Sequence, residues 1–226
     1  FMLPGLLITN MTQGLRFDQL SDAAKAHARD AYMGPKYPWH DWWDAVYEDF
    51  INLAACLGFT VDKDNIWFRG FWSQGDGAKF VGHYACDGSH VAVIKEHAPT
   101  DKVLHALAER LDALQVAAQL RYERKWSVEI KDNDGRYCHS GGMYACDAYL
   151  GDLCFDDDDV EPSWGPDFEH AETEIRNVAR ALADWLYRAL EKEYEYLCSN
   201  EHLDEILGNG DDLYDEDGDT IDPTPT

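Results

Sequence analysis

Strand-forming segments in this chain come in pairs joined by tight turns, and that arrangement points to antiparallel pairing. Asn65-Ile-Trp-Phe-Arg-Gly-Phe-Trp72 is rich in β-branched and aromatic residues, Gly75-Asp76-Gly77 turns the chain, and Lys79-Phe-Val-Gly-His-Tyr-Ala-Cys86 returns. Lys125–Lys131 alternates, with Trp126, Val128 and Ile130 on one side and Ser127 and Glu129 on the other. Asp132-Asn-Asp-Gly135 is a second strong turn signal, from which Arg136–His139 is expected to pair back. Met143–Leu150 is expected to continue or add a strand, after a bulge or bend at Gly141-Gly142. Parallel strands would each need a crossover helix, and hairpins do not.

The helices follow from apolar spacing and breakers. Residues 17–33 read as a helix with Ser21 as N-cap, ended by Gly34-Pro35 and Pro38. A second is expected over Trp39–Leu57, with Trp42, Val46, Phe50, Leu53 and Leu57 in one stripe. A short helix at His90–His97 stops at Pro99, and a longer one spans about Asp101–Leu120 with Val103, Leu104, Leu107, Leu111, Leu114 and Ala118 on one face. The longest runs from near Asp167 to about Leu197, with Ile175, Val178, Leu182, Trp185, Leu186, Ala189 and Leu190 as its apolar stripe. At about 1.5 Å per residue it would be roughly 45 Å long. A short helix at Glu201–Leu207 follows. The expected fold is therefore α+β: a mostly antiparallel sheet of about four strands built from hairpins, with helices packed on it and a long C-terminal helix. Residues 1–16 are expected to be a flexible N-terminal segment, 17–208 a single domain, and 209–226 an acidic, flexible tail.

Charge is distributed unevenly. The 226 residues hold 19 Lys and Arg against 44 Asp and Glu, a formal net of -25. Residues 150–226 hold Arg176, Arg180, Arg188 and Lys192 against 24 carboxylates. Such a surface repels nucleic acid, anionic lipid and free nucleotides, and attracts basic proteins. Duplex DNA shows one charge per roughly 1.7 Å of axis, a density that a carboxylate-rich helix and tail imitate. The candidate partner-binding residues are Asp156, Asp157, Asp158, Asp159, Glu191, Glu193, Glu195, Asp211 and Asp212. The ordinary reading of the same residues is a solvated face. An aromatic content of 13% sets the chain apart from disordered acidic proteins. No stretch approaches the roughly 18 apolar residues of a membrane span, and Phe1–Thr9 lacks the basic flank and cleavage site of an export signal. A cytoplasmic protein with reduced thiols is expected, since the six cysteines show no Cys-x-x-Cys spacing.

Ser73, Gln74 and Asp76, on the glycine-rich tip, form an alternative small-ligand site together with His139 and Ser140. The ordinary reading is turn chemistry, with Trp72 packing its ring on the sheet. No Walker or dinucleotide fingerprint is present. Cys138 and His139 are adjacent and would point to opposite faces of a strand, so a thiol–imidazole pair would need another histidine such as His83. Cys86, Cys138, His139 and Cys146 lack any recognised zinc spacing. Asp215-Glu-Asp-Gly-Asp219 suggests a calcium loop, but its end positions fall on Leu213 and Thr224, which cannot serve. No metal, no cofactor and no catalytic residue is assigned. In Trp39–Phe50, Trp42, Val46 and Phe50 read as core, while Trp39, Trp43 and Tyr47 lie on the adjoining face and are candidates for an exposed anchor.

Five segments together carry a resemblance. They are Phe17-x-x-Leu-Ser-Asp22 with Ala24-Lys25, Trp42-Trp43 with Tyr47-Glu-Asp-Phe50, Gly70-Phe-Trp-Ser-Gln-Gly-Asp-Gly-Ala78, Tyr137-Cys-His-Ser-Gly141 and Leu190-Glu-Lys-Glu-Tyr194. From about Phe17 to Glu205 the chain resembles a family of phage and prophage proteins, some of which carry the label antitoxin of a toxin–antitoxin system. The resemblance implies a phage-encoded protein acting in the infected bacterial cytoplasm, in the conflict between phage and host. Charge and resemblance together give the expected function: an acidic inhibitor that binds a basic, nucleic-acid-handling host protein, with no direct binding to nucleic acid or membrane. The alternative is a protein that sequesters or hydrolyses a signalling nucleotide at the Trp72–Ala78 hairpin.

Overall fold

The computed structural model describes residues 14–34, 37–38, 40–86, 88–133, 135, 137–150 and 166–221. In chain order its helices are α1 (Asp22–Met33), α2 (Asp44–Cys56), α3 (His90–His97), α4 (Lys102–Tyr122), α5 (Pro166–Leu197) and α6 (Asn200–Asn209). Its strands are β1 (Phe59–Thr60), β2 (Ile66–Arg69), β3 (Gly77–Phe80), β4 (Gly82–Ala85), β5 (Trp126–Asp132) and β6 (Met143–Leu150). The fold is α+β. Where one domain over 17–208 is expected, the chain divides into two compact units, residues 43–192 and a unit built from 1–42 and 193–226.

In the central unit, a four-stranded antiparallel sheet runs in the order β1-β4-β5-β6, and β2 and β3 form a separate two-stranded ribbon. The expected return strand 79–86 is thus two strands in two sheets. Val81 donates its N–H to the Asn65 carbonyl and closes the ribbon. Gly82 then brings β4 so close to β1 that a Cβ there would lie 2.3 Å from the Thr60 carbonyl oxygen. The partner of β5 also differs from expectation. Tyr137–His139 forms no strand, and β5 pairs instead with β6, with a register shift between Ser127 and Glu129. A single 3-10 turn over Ser140–Gly142 stands where the bend is expected.

Alternation along β5 decides what covers each face. Trp126, Val128 and Ile130 are buried under helices, Trp126 with its ring edge-on to Phe168 of α5. Gln115 of α4 is buried there and fully engaged. It accepts from the Trp126 N–H and donates to the Trp126 carbonyl and the Tyr84 hydroxyl. Burial pushes the Tyr84 phenol far above its ordinary pKa. The α5 stripe of Ile175, Val178, Leu182, Leu186 and Leu190 is fully buried, as are Leu104 and Ala108 of α4, whereas Val103 points outward. α2 starts five residues later than expected, after Asp41 adopts a left-handed φ of 69°. Trp43 and Tyr47, candidates for an exposed anchor, instead pack edge-on against Phe68, Tyr47 being buried. Trp39 lies outside the described residues.

The terminal unit is held by Phe17, Leu20, Ala24, Ala28, Leu207 and Tyr214. Ser21 caps α1 by accepting from the Ala24 N–H, as its sequence position requires. Arg29 forks onto both Asp204 oxygens at 2.5 and 2.9 Å. Residues 209–221, expected to be a flexible tail, are folded: Tyr214 is buried and exchanges two backbone hydrogen bonds with Leu15. One aromatic side chain supplies the burial that anchors this acidic stretch. Asp215 turns the acidic segment Asp215–Asp219, its Oδ1 accepting from the N–H groups of Asp217, Gly218 and Asp219.

Candidate functional site

The loop between β2 and β3, residues 70–76, is locked from inside. Asp76 Oδ2 accepts from the N–H groups of Trp72 and Ser73 at 3.1 and 2.7 Å, and the Asp76 N–H returns to the Ser73 carbonyl. Tyr187 of α5 donates its hydroxyl to the Gly70 carbonyl at 3.0 Å, and its ring lies 5.5 Å from that of Phe71. Phe71 also stacks on Phe68. Gly75 has φ +93°, and a Cβ there would lie 2.1 Å from the Tyr137 ring, so only glycine fits under that side chain.

These contacts leave Trp72 79% exposed. The sequence expectation that its ring packs on the sheet is therefore wrong: Phe71 takes the inward position and Trp72 the outward one. Tyr137, 51% exposed, stands on the neighbouring loop with its ring stacked on His139.

The residues expected to form a small-ligand site do gather here. A Cβ on Gly77 would lie 2.7 Å from both the Cys138 carbonyl oxygen and His139 Cβ, so the two loops touch. Their polar atoms turn inward, however. Asp76 is used by the loop itself, His139 Nδ1 accepts from the Gly141 N–H at 3.0 Å, and Ser140 donates to Asp184 Oδ1 at 2.6 Å. Arg180 donates to the carbonyls of Gly141 and Met143, fixing the second loop to α5. Ser73 and Gln74 are exposed. The result is a rigid surface with an aromatic summit.

The acidic candidates fall in different parts of the chain. Asp156, Asp157, Asp158 and Asp159 lie outside the described residues. Glu191 belongs to the central unit, and with Asp76 it acts on the Tyr187 phenol, whose pKa is raised first by burial and then by those two charges. Glu193, Glu195, Asp211 and Asp212 belong to the terminal unit, where Asp211 pairs with Arg16 at 3.3 Å. Residues the sequence left unassigned are Tyr137, Tyr187, Asp184 and Arg180. Nothing in helical spacing marks Tyr187 or Arg180 as loop supports. The run Phe71-Trp72 did hold a signal: two aromatics beside a Gly-Asp-Gly turn cannot both face one core.

The thiol chemistry weighed from the sequence finds no geometry. Cys138 is pushed up in pKa by burial, and His83 serves other partners, with Nε2 2.7 Å from Ser127 Oγ and Nδ1 3.1 Å from Glu129 Oε1. Cys86 donates to the Gly88 carbonyl, while Cys146 lies beside Asp147. Among the described residues no group of three or more His, Cys, Asp or Glu side chains is placed to hold a metal ion. Among those residues, too, no helix is long and apolar enough to cross a membrane.

No curated protein and no solved structure matches this chain. A family model described as "Domain of unknown function (DUF8835)" matches residues 42–200, which take in the whole central unit and all of α5, and the chain belongs to that family.

Proposed function

We propose that this protein is an acidic binding module that docks on a basic protein through the Trp72 loop and the adjoining face of α5. The observation that carries this is the exposure of Trp72 on a loop held by Asp76 from within and by Tyr187 from behind. Leaving a large ring in water is unfavourable, and a rigid ring loses little entropy when a partner covers it. Tryptophan and tyrosine are the commonest anchors of protein interfaces. Asp184 holds Ser140 of the neighbouring loop and Glu191 acts on Tyr187 behind this one, and the chain's net charge of -25 attracts basic partners. A nucleic-acid-handling protein is the partner class this chemistry suits. The resemblance to phage proteins supports a host toxin or defence effector within that class. The nucleotide-binding alternative is weaker, because Asp76, His139 and Ser140 already have partners inside the protein.

The test is photocrosslinking from a benzoylphenylalanine placed at Gln74, followed by binding measurements on the captured protein. The expected partner is basic, is displaced by duplex DNA, and binds Trp72→Ala at least about tenfold more weakly. Its association rate falls steeply as the Debye length shrinks to about 8 Å at physiological salt. A captured partner whose affinity is indifferent to Trp72→Ala and to salt would sink the proposal.

A further inference from the structure

The face of the four-stranded sheet opposite the helices holds an open groove of about 760 Å³, within the roughly 300–1,000 Å³ of small-molecule sites. Neither charge pattern nor any sequence motif pointed to it. Its walls include two aromatic side chains from different elements, Trp67 of β2 at 40% exposure and Tyr144 of β6 at 39%. Between them lies a floor of charged and hydrogen-bonding groups, each oriented by another. We propose that this groove binds a neutral, polyhydroxylated ligand, an oligosaccharide whose ring faces stack on Trp67 and Tyr144.

The floor makes the case. Lys79 is ion-paired to Asp132 with only 13% and 6% of the two side chains exposed, and its ammonium lies 5.7 Å from the centroid of the Trp67 ring. Removing an ion pair from water is costly, and replacing it by apolar residues is usually neutral or better for stability. Its retention beneath an open groove therefore suggests a use other than stability. Asp132 Oδ1 is buried beside Gly142 and has no hydrogen-bond partner among the described residues, while Oδ2 carries the pair with Lys79. Next to it, His83 bridges Glu129 and Ser127, and Ser127 is hydrogen-bonded to the Tyr149 hydroxyl at 3.0 Å. That chain has the order of a serine–histidine–acid triad. Ser127 is buried, however, and does not line the groove, so it positions His83 and, through it, the half-exposed Glu129.

The same floor excludes other ligand classes. Both lysines on the groove are bound to carboxylates, Lys79 to Asp132 and Lys131 to Asp147 at 2.8 Å, and Asp62 and Glu129 add two more negative charges. A phosphate would have to compete with these carboxylates for either lysine. A purely apolar ligand would strip water from these groups without replacing its hydrogen bonds. A cationic ligand would meet Lys79 already placed against Trp67. Sugar hydroxyls both donate and accept, so they match carboxylates and ammoniums alike, while C–H faces cover the rings.

The experiment titrates the full chain by calorimetry with maltohexaose, cellohexaose, chitohexaose and xylohexaose, and with ATP as the anionic comparison. At least one oligosaccharide is expected to bind saturably at micromolar to millimolar concentration and ATP not to bind. Trp67→Ala and Tyr144→Ala are each expected to weaken that binding at least tenfold while keeping the wild-type melting curve. Trp72→Ala should leave it unchanged, which separates this site from the protein-binding surface. Silence from all four oligosaccharides, preference for ATP, or sugar binding that survives both substitutions would each overturn the proposal.

Discussion

Trp126 and Trp72 belong to one compact unit and have opposite fates. Trp126 is 3% exposed, its backbone bonded to Gln115 and its ring edge-on to Phe168, while Trp72 is 79% exposed, its ring edge-on to Phe71. Residue type does not separate them. Trp126 sits in a strand whose alternation commits it to the helix-covered face, and Trp72 follows a residue, Phe71, that has already filled the inward position. The covered face of the sheet holds stability. The loop is held by Asp76, Tyr187 and Phe71, and most of the Trp72 surface faces water.

The largest break of that contrast is Trp126→Ala. It empties a closed site between β5, α4 and α5, and a cost of about 3–5 kcal/mol is expected from the lost transfer energy and the cavity. Urea denaturation should show the midpoint falling sharply with an unchanged slope. A loss below about 1 kcal/mol would mean that the covered face is not the seat of stability.

Asp112→Asn probes a polar junction of the same unit, with a cost of about 1–2 kcal/mol expected. Burial raises the pKa of this carboxyl. The His90 backbone and imidazole, the Ser89 hydroxyl and the Val91 N–H outweigh that effect and hold it below its ordinary value. A depressed carboxylate stabilises the fold above its unfolded pKa of about 3.9 and loses that contribution as pH falls through the folded value. Stability of the wild type should therefore decline below about pH 4, and the Asn variant should decline less over that window.

Asp76→Ala addresses the loop itself. Two backbone N–H groups lose their acceptor at an exposed site, so about 1 kcal/mol is expected, near the lower end for a lost cap. The more telling readout is faster hydrogen exchange at Trp72 and Ser73, since the carboxylate holds both amides. Unchanged exchange would show that Tyr187 and Phe71 hold the loop without it.

Much of this was legible because helices declare themselves locally. The α5 stripe gives both ends within a residue, Ser21 marks α1, and the alternation of β5 assigns its faces. What could not be read depends on contacts distant in sequence. The 79–86 segment looks like one strand until Gly82 meets the Thr60 carbonyl, and Arg136–His139 looks like the return of a hairpin until β6 takes that place. Tyr214 is one ring in an acidic run, and its burial needs Phe17 and Leu15, about two hundred residues earlier. The loop residues were named in the sequence: the ordinary reading of turn chemistry fits Asp76, which accepts from two loop amides, whereas Trp72, expected to pack on the sheet, is the exposed group. The groove gave no sequence signal, because Trp67, Lys79, Asp132 and Tyr144 come from four elements.

The smallest expected change in stability is at Trp72 itself. Its side chain lies mostly in water in the folded protein, so truncation to Ala removes little buried surface, and surface changes of this kind stay within about 0.5 kcal/mol. The backbone hydrogen bonds from Trp72 and Ser73 to Asp76 do not involve the ring and should persist. Trp72→Ala should then match the wild type in urea midpoint and melting curve while losing affinity for the partner. Setting it beside Trp126→Ala makes the comparison quantitative, with one tryptophan measured in stability and the other in binding. If Trp72→Ala instead unfolds the protein by 2 kcal/mol or more, the ring supports the loop rather than a partner, and the contrast between the two regions collapses.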